Sequence, residues 1–392
     1  MSAKPLKIAV IAGEVSGDLL GGDLIAALKQ KYQGEISLIG VGGEALEDQG
    51  LSPLFDFSEL SVMGLSQVLA GLPKFIRLIK LTAREIIEQK PDLLLIIDSP
   101  DFTHRVAKKV RKALPDLPVI DYVCPSVWAW KEYRATAMLA YVDMVLAVLP
   151  FEPKVMQDLG GPETHFIGHR LSADIDLRNT RAARAARHLP GSGQRKTLML
   201  LPGSRGSEIK PLMPVMGEAA AQFIARNGPT RIVLPTVPRR EALVQELARS
   251  WSVQPEIVVG SDAKWQAFAD ADVAIAASGT VILELALAGV PVVSCYKMDW
   301  LIRFYSNRIK TWSGALPNLI ADYPVVPEYL NDYLRPGNVM RAAERLSSDT
   351  LQRRAMLEGF DFVWQSLETE VSPGEQGAVL LLDLLSRKGK LA

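Results

Sequence analysis

Two periodicities alternate along this chain. Short runs rich in Ile, Leu and Val, "KIAVIAG", "ISLIGVGG", "DLLLIIDSPD" and "PVIDYVCPS", are separated by stretches such as "DLLGGDLIAALKQKY", "PKFIRLIKLTAREIIEQK" and "THRVAKKVRKAL", where apolar positions recur every three or four residues. A continuously apolar strand is buried on both faces, and such strands between amphipathic helices build a parallel sheet covered on each side. Residues 1–172 are therefore expected to form a Rossmann-like α/β domain. The pattern restarts with "TLMLLPGSRG", "TRIVLPTV", "PEIVVG", "ADVAIAASGT" and "VPVVSCYK", with helices expected over 211–226 and 239–251. A second doubly wound α/β domain is expected over 177–345, and residues 346–392 read as helices. Two such domains would face each other across a cleft, with the loops at their strand C-termini turned toward a shared ligand.

Composition narrows the class without choosing the chemistry. A chain of 392 residues, 48% hydrophobic and 22% charged, has the size and apolar content for two cores. Lys plus Arg and Asp plus Glu both number 44, so no bulk positive charge predicts nucleic-acid binding. Ile8 to Ala12 is too short for a signal-peptide core and runs into Glu14 and Asp18, so it reads as a first strand. No run approaches the roughly 18 apolar residues of a spanning helix. Cys124 and Cys295 lie in or beside apolar runs without metal-ligand spacing, as buried reduced thiols of a cytoplasmic protein do.

Several strand ends carry candidate chemistry. "LLPGSRGSEIK" ends an apolar run in Pro202, Gly203, Ser204 and Arg205 before a helix, which leaves N–H groups for an anion with an arginine beside them. Ser278, Gly279 and Thr280 form a second small turn at a helix start, suited to a phosphate or to capping. Glu284, four residues beyond Thr280, lies on the same helix face and suits the hydroxyls of a ribose. Taken together, these two turns and the carboxylate describe a nucleoside diphosphate site. Asp98, at the end of "LLLIID", is a candidate general base, or a helix cap. Asp270 and Asp272 read as polar residues at a helix end and a strand start rather than as metal ligands. "VCPSVWAWKEYR" sets Trp128, Trp130 and Tyr133 beside Lys131 and Arg134, which suits a sugar or an anionic head group, or core filling. "GEVSGD" is another strand-to-helix turn, and its Ser16 joins the candidate substrate contacts; it lacks G-x-G-x-x-G spacing, which disfavours dehydrogenase chemistry. His169 falls at the crossing between domains, as a structural imidazole or one near a pyrophosphate. Over 66–84, Leu69, Leu72, Phe75, Ile76, Leu78 and Ile79 alternate with Lys74, Arg77, Lys80 and Arg84. That pattern fits a helix on an anionic membrane surface or a core stripe with a solvated basic face.

In order along the chain, "AGEVSGD", "VMG" at 62–64, "DSPDF", "YVCPSVWAWKEYR", "LPFE", "FIGH", "LLPGSRGSEI", "ASGTVILE" and "LPNLIA" resemble the motifs of the lipid-A-disaccharide synthase family over nearly the full length. The resemblance implies the GT-B architecture of two Rossmann-like domains and an inverting transfer. In that transfer UDP-2,3-diacylglucosamine is joined to 2,3-diacylglucosamine 1-phosphate through a β(1→6) bond, and UDP leaves. It makes Asp98 the base for the acceptor 6-hydroxyl and gives Arg205, Gly203 and Ser204 the diphosphate, with Ser278, Gly279 and Thr280 beside it. Glu284 takes the ribose, and Asn318 of "LPN" completes the cleft. It also implies C-terminal helices that return to the first domain and are exchanged between subunits in some members, so a homodimer is among the expected states. Leu72, Lys74, Phe75, Ile76, Arg77 and Lys80 are the expected lipid contacts at the inner leaflet of a cytoplasmic, peripherally attached enzyme. No cofactor, metal or nucleic acid is expected. The arginine-rich run over 178–195 departs from the family pattern. Competing readings are a GT-B enzyme on UDP-N-acetylglucosamine, either a peptidoglycan-precursor transferase or a 2-epimerase, and a two-lobed ligand-binding protein of periplasmic type.

Overall fold

The computed structural model of the chain describes residues 3–60, 65–189, 191, 194–298 and 310–391, with side chains described from Leu72 onward in the helix that begins at Leu65. The "VMG" motif at 62–64 and the side chain of Leu69 lie outside the described residues. Two units divide the chain: Met1–Arg170 with Thr369–Ala392, and Leu171–Glu368.

The first unit holds strands β1 (Leu6–Ala12), β2 (Ile36–Val41), β3 (Leu93–Ile97), β4 (Val119–Tyr122), β5 (Met144–Ala147) and β6 (Glu163–Phe166) in one sheet of order β2-β1-β3-β4-β5-β6. Every pair in it is parallel. The unbroken apolar runs are explained by the two faces. Ala9 and Ile11 pack with Leu78, Ile79, Phe102 and Val106 of α3 (Leu65–Gln89) and α4 (Pro100–Ala113). Ile8, Val10 and Ala12 pack with Leu24, Ile25 and Leu28 of α1 (Val15–Lys31). The period of two along a strand thus sends alternate residues into two different cores. Between β2 and α3 lie a short helical turn, α2 (Glu44–Glu47), and a 3-10 turn over Phe57–Leu60; α5 (Tyr133–Met138) and α6 (Glu152–Asp158) join β4, β5 and β6.

The second unit repeats the scheme. Strands β7 (Lys196–Leu201), β8 (Thr230–Thr236), β9 (Glu256–Val259), β10 (Val273–Ala277), β11 (Val292–Tyr296) and β12 (Glu328–Leu330) form a sheet of order β12-β11-β10-β7-β8-β9. These pairs are parallel too. It is entered through α7 (Arg170–Ala173) and α8 (Ile175–Ala185). The helices α9 (Gly206–Asn227), α10 (Glu241–Ala248), α11 (Ser261–Asp270) and α12 (Thr280–Ala288) follow β7 to β10. The helix expected from 211 begins at Gly206, because Glu208 accepts from the Arg205 N–H and closes the first turn. Beyond α13 (Leu316–Ala321) and α14 (Pro336–Leu346), the C-terminal stretch is divided. α15 (Leu351–Leu367) adds Met356 and Phe360 to the core of the second unit, whereas α16 (Pro373–Arg387) lies on α1 in the first. A Cβ on Gly374 would stand 2.8 Å from the Asp23 carbonyl oxygen, so glycine permits that close helix crossing.

The arginine-rich run has a structural explanation. Arg181 donates to the Leu287 carbonyl and Arg184 to those of Phe268, Ala271 and Gly289, at 2.7–3.1 Å. These carbonyls lie at or just beyond the C-termini of α11 and α12, where backbone acceptors lack helical partners and cations are favoured. Burial, with Arg187 and Arg353 nearby, lowers the Arg184 pKa to about 9.

Candidate functional site

In an open parallel sheet, ligands bind beyond the strand C-termini where the strand order reverses. In the second unit that point lies between β7 and β10. A cleft of about 530 Å³ opens there, lined by Gly203, Ser204, Arg205 and Glu208 after β7, by Thr236 at the end of β8 and Pro238 beyond it, by Ser261 and Lys264 of α11, and by Ser278, Gly279, Thr280 and Glu284. Six of the residues expected to contact the donor, together with Arg205, are thereby brought to one cavity of a size that suits a small-molecule ligand.

The detail differs from the sequence reading. The N–H groups of Ser204 and Arg205 are not free, since both donate to Glu208 Oε2, at 3.2 and 3.3 Å. The Arg205 guanidinium, 3.2 Å from Glu208 Oε1, is largely exposed. A carboxylate of the chain itself thus occupies the anion-suited turn. The start of α12 has no side-chain cap, so its first turn offers the cleft the positive end of a helix. Glu284 is held by Lys264, with Nζ 3.1 Å from Oε2, while Lys264 also lies 4.1 Å from the centre of the Trp265 ring.

Asn318 does not line this cleft. It is buried, and its amide is saturated: Nδ2 donates to Ser313 Oγ and the Val326 carbonyl, and Oδ1 accepts from the N–H groups of Val325 and Val326. Its effect on the cleft is indirect, because Ser278 Oγ donates to the carbonyl of Gly314, next to Ser313.

In the first unit the strand order reverses between β1 and β3. Asp98 and Ser99 follow β3 with φ of 51° and 47°, left-handed values that cost a non-glycine residue about 1–3 kcal/mol and collect at functional sites. Asp98 Oδ1 accepts from the Ser99 N–H at 2.7 Å, and its carbonyl accepts from Thr103 Oγ1. The turn after β1 comes close: a Cβ on Gly13 would stand 2.5 Å from Ser99 Oγ. Ser16 is exposed in the first turn of α1, three residues along the chain from Gly13. The neighbouring Asp18 has a structural task, as its buried carboxylate accepts from the N–H groups of Gly43, Ala45 and Leu46 and fixes the turn after β2.

Beside Asp98 the structure reveals a buried polar chain that the sequence reading missed. His104 Nε2 lies 3.1 Å from Asp121 Oδ2, and His104 Nδ1 lies 3.1 Å from the Tyr141 hydroxyl. Burial raises the pKa of Asp121 against the opposing pull of His104, and the charge of Asp98 adds to the rise. Burial also lifts Tyr141 to about 12. Glu152 of "LPFE" is buried as well; it accepts from Trp128 Nε1 and the Leu149 N–H, and burial raises its pKa to about 8. A histidine on the apolar face of α4, between Phe102 and Val106, is the one sequence signal that could have pointed to this cluster. His169 is neutral at physiological pH, since burial, with Arg170 beside it, lowers its pKa to about 4. It can offer a hydrogen bond but no charge.

The expected lipid contacts on α3 divide between two faces. Leu72 and Ile76 are exposed, with exposed Lys74, Arg77 and Lys80, and Lys74 pairs with Glu59 at 2.9 Å. Phe75 instead turns inward, edge-on to Phe102 at 5.6 Å, because it shares the face of Leu78 and Ile79. Asp270 pairs with Arg231, and buried Asp272 accepts from the Thr197 N–H, so both hold structure. Cys124 and Cys295 are buried free thiols, with burial raising Cys295 to about 12. No helix among the described residues is long and apolar enough to cross a membrane.

Residues 8–375 match the family model described as lipid-A-disaccharide synthetase. The chain is 42% identical over 384 residues to the lipid-A-disaccharide synthase of Rhodopseudomonas palustris strain HaA2, with 97% of each chain covered. It is 41% identical over 389 residues to the lipid-A-disaccharide synthase of Bradyrhizobium diazoefficiens, covering 98% of this chain and 97% of the relative. Among solved structures, MnaA of S. aureus in complex with UDP is similar with a TM-score of 0.61 at 15% identity, covering 99% of this chain and 98% of that one. MurG of Acinetobacter baumannii is similar with a TM-score of 0.55 at 16% identity, covering 98% of this chain and 99% of that one. At such identities these two structures speak for the fold, two doubly wound units of GT-B type.

Proposed function

This chain belongs to the lipid-A-disaccharide synthase family, a family of glycosyltransferases, and from that premise we propose how its two units divide the reaction. The donor is UDP-2,3-diacylglucosamine, the acceptor is 2,3-diacylglucosamine 1-phosphate, and the products are the β(1→6)-linked disaccharide 1-phosphate and UDP. The UDP moiety occupies the cleft of the second unit. The observation that carries this reading is that Arg205, the uncapped start of α12 and the Lys264-held Glu284 all line that one cavity.

In the proposed reaction the acceptor O6 attacks the anomeric carbon as the bond from that carbon to the diphosphate oxygen breaks. The O6 proton passes to the Asp98 carboxylate, and the electron pair of the broken bond stays on UDP. Inversion follows from a single in-line displacement. Charge accumulates on the diphosphate in the transition state, so a guanidinium and a helix start aimed at it act most strongly at that moment. Glu208, which already holds the amides of Ser204 and Arg205, keeps the anion position formed until the diphosphate displaces it. Glu284 accepts from the ribose hydroxyls, and Asn318 supports the Ser278 turn from below rather than touching the nucleotide. Ser16 and His169 contribute polar contacts to the sugar side. Exposed Leu72 and Ile76 with Lys74, Arg77 and Lys80 suit the anionic inner leaflet, from which the acyl chains would enter.

The experiment is a side-by-side measurement of wild type and Asp98→Asn. Turnover should fall by about a thousandfold or more, the upper part of the range for losing a general base, while UDP affinity stays within about twofold. A parallel loss of UDP affinity would make Asp98 a binding or folding residue and remove it as the base.

A further inference from the structure

The loop between β4 and α5, with the first turn of α5, holds a built feature that the donor cleft does not use. Its two tryptophans are treated differently. Trp128 is anchored, donating from Nε1 to buried Glu152 and meeting Phe151 edge-on at 5.5 Å. Trp130, two residues on, is 44% exposed. The backbone around it takes left-handed values at non-glycine positions, with φ of 81° at β-branched Val123 and 56° at Lys131. Such conformations persist only where the surroundings over-determine them. The loop therefore presents a half-exposed indole beside its anchored neighbour.

Two cations lie on that indole. Lys131 Nζ stands 3.9 Å and Arg134 Cζ 5.5 Å from the ring centre. Arg134 reaches Asp101 at 3.3 Å, and Lys131 makes no ion pair among the described residues. Asp101 stands in the first turn of α4, three residues after Asp98, so this ion pair ties the cation pair to the helix that starts at the proposed base. Asp101 is itself 75% exposed, so a stronger anion can draw Arg134 away from it. An aromatic face suits the apolar side of a hexose, and two adjacent cations suit a dianionic phosphate. In an α-D-hexopyranose 1-phosphate the C5 hydroxymethyl and the anomeric phosphate project from opposite faces of the ring, so a sugar held against Trp130 can present one to the base and the other to the cations.

We propose that Trp130, Lys131 and Arg134 form the binding subsite for the anomeric phosphate and ring of the acceptor. The inference rests on the transferase reading, which names a phosphorylated sugar as acceptor. It gives this loop a task separate from donor binding: recognition of the acceptor by its charge.

The test is acceptor kinetics on the intact chain in neutral detergent. The phosphorylated acceptor is compared with the same diacylglucosamine carrying an anomeric methyl group in place of the phosphate, for wild type, Lys131→Ala, Arg134→Ala and the double variant. With the phosphorylated acceptor, KM should rise about tenfold for each charge-assisted contact removed, with a smaller change in kcat. The methyl acceptor should be used equally well by all four proteins, and Lys131→Arg should recover most of the loss. UDP affinity, which should not move, reports that the second unit is intact. Equal losses with both acceptors would overturn the subsite and return the loop to a structural role. Losses that appear only when anionic vesicles are present would assign the cations to the bilayer and overturn it too. A wild type that makes no disaccharide from either acceptor would instead defeat the transferase reading on which the inference stands.

Discussion

Asp98, Arg205 and Glu152 show how far a single side chain is determined by its neighbours. Asp98 was legible as a carboxylate at a strand end, but its left-handed backbone and the His104–Asp121–Tyr141 chain beside it depend on β4 and α4 packing together, which no local pattern reveals. Arg205 was legible as a cation beside a turn; its partner Glu208 follows from the first turn of α9. If Arg205 serves the diphosphate, Arg205→Ala should weaken UDP by about tenfold or more, as expected for a lost charge-assisted contact, and uridine hardly at all. Equal weakening of both would remove that role. Glu152 makes a pH prediction. Its folded pKa of about 8 lies above its ordinary 4.5, so between those values the folded chain keeps a proton that the unfolded chain has released. This group therefore favours the fold at low pH and loses that contribution as pH rises through the window. Glu152→Gln carries a constant penalty for its altered hydrogen bonds, but its melting temperature relative to wild type should climb as pH approaches 8. A difference independent of pH would contradict the assignment.

At the scale of elements, most of the strands and helices could be read from period alone, because two-sided burial of a parallel sheet leaves continuous apolar runs. What the period did not reveal is where helices begin. α9 starts before Pro211 and carries both Pro211 and Pro214, residues that argue against a helix until its capping by Glu208 is seen. The turn before α9 depends on Gly203, whose φ is 103° and whose added Cβ would stand 2.5 Å from Glu208 Oε2. Gly203→Ala should therefore loosen the first turn of α9, lower the melting temperature by several degrees and weaken UDP binding. Unchanged UDP affinity would show that this turn is not part of the nucleotide site. On α3 the hydrophobic pattern fits either a lipid face or a core stripe with a solvated basic face; amphipathicity alone does not say which apolar residues face outward, and Phe75 packs in the core. Charge reversal at Lys74 and Arg77 should reduce binding to anionic vesicles severalfold, and unchanged binding would leave α3 as ordinary surface.

For the whole molecule, the repeat of one α/β scheme was visible in the sequence, whereas the split of the C-terminal stretch between the units was not. α15 and α16 are both amphipathic, and only the partners available to each, Met356 and Phe360 in one core and Leu381 and Leu385 in the other, separate them. The arginine-rich entry to the second unit likewise looked like an oddity of composition until its guanidinium groups met the helix ends. Arg184→Ala leaves several of those carbonyls without their donor and should destabilise the second unit by on the order of 2–3 kcal/mol, read as an earlier melting transition that UDP shifts upward. The central claim is that the chain transfers a diacylated sugar from UDP to a phosphorylated acceptor. The most direct measurement mixes the purified chain with UDP-2,3-diacylglucosamine, with and without 2,3-diacylglucosamine 1-phosphate, and follows UDP release and the lipid product by mass. UDP release that requires the acceptor and yields a tetra-acyl disaccharide monophosphate is the predicted result. A chain that binds UDP yet makes no such product, or releases UDP equally without acceptor, would contradict the account.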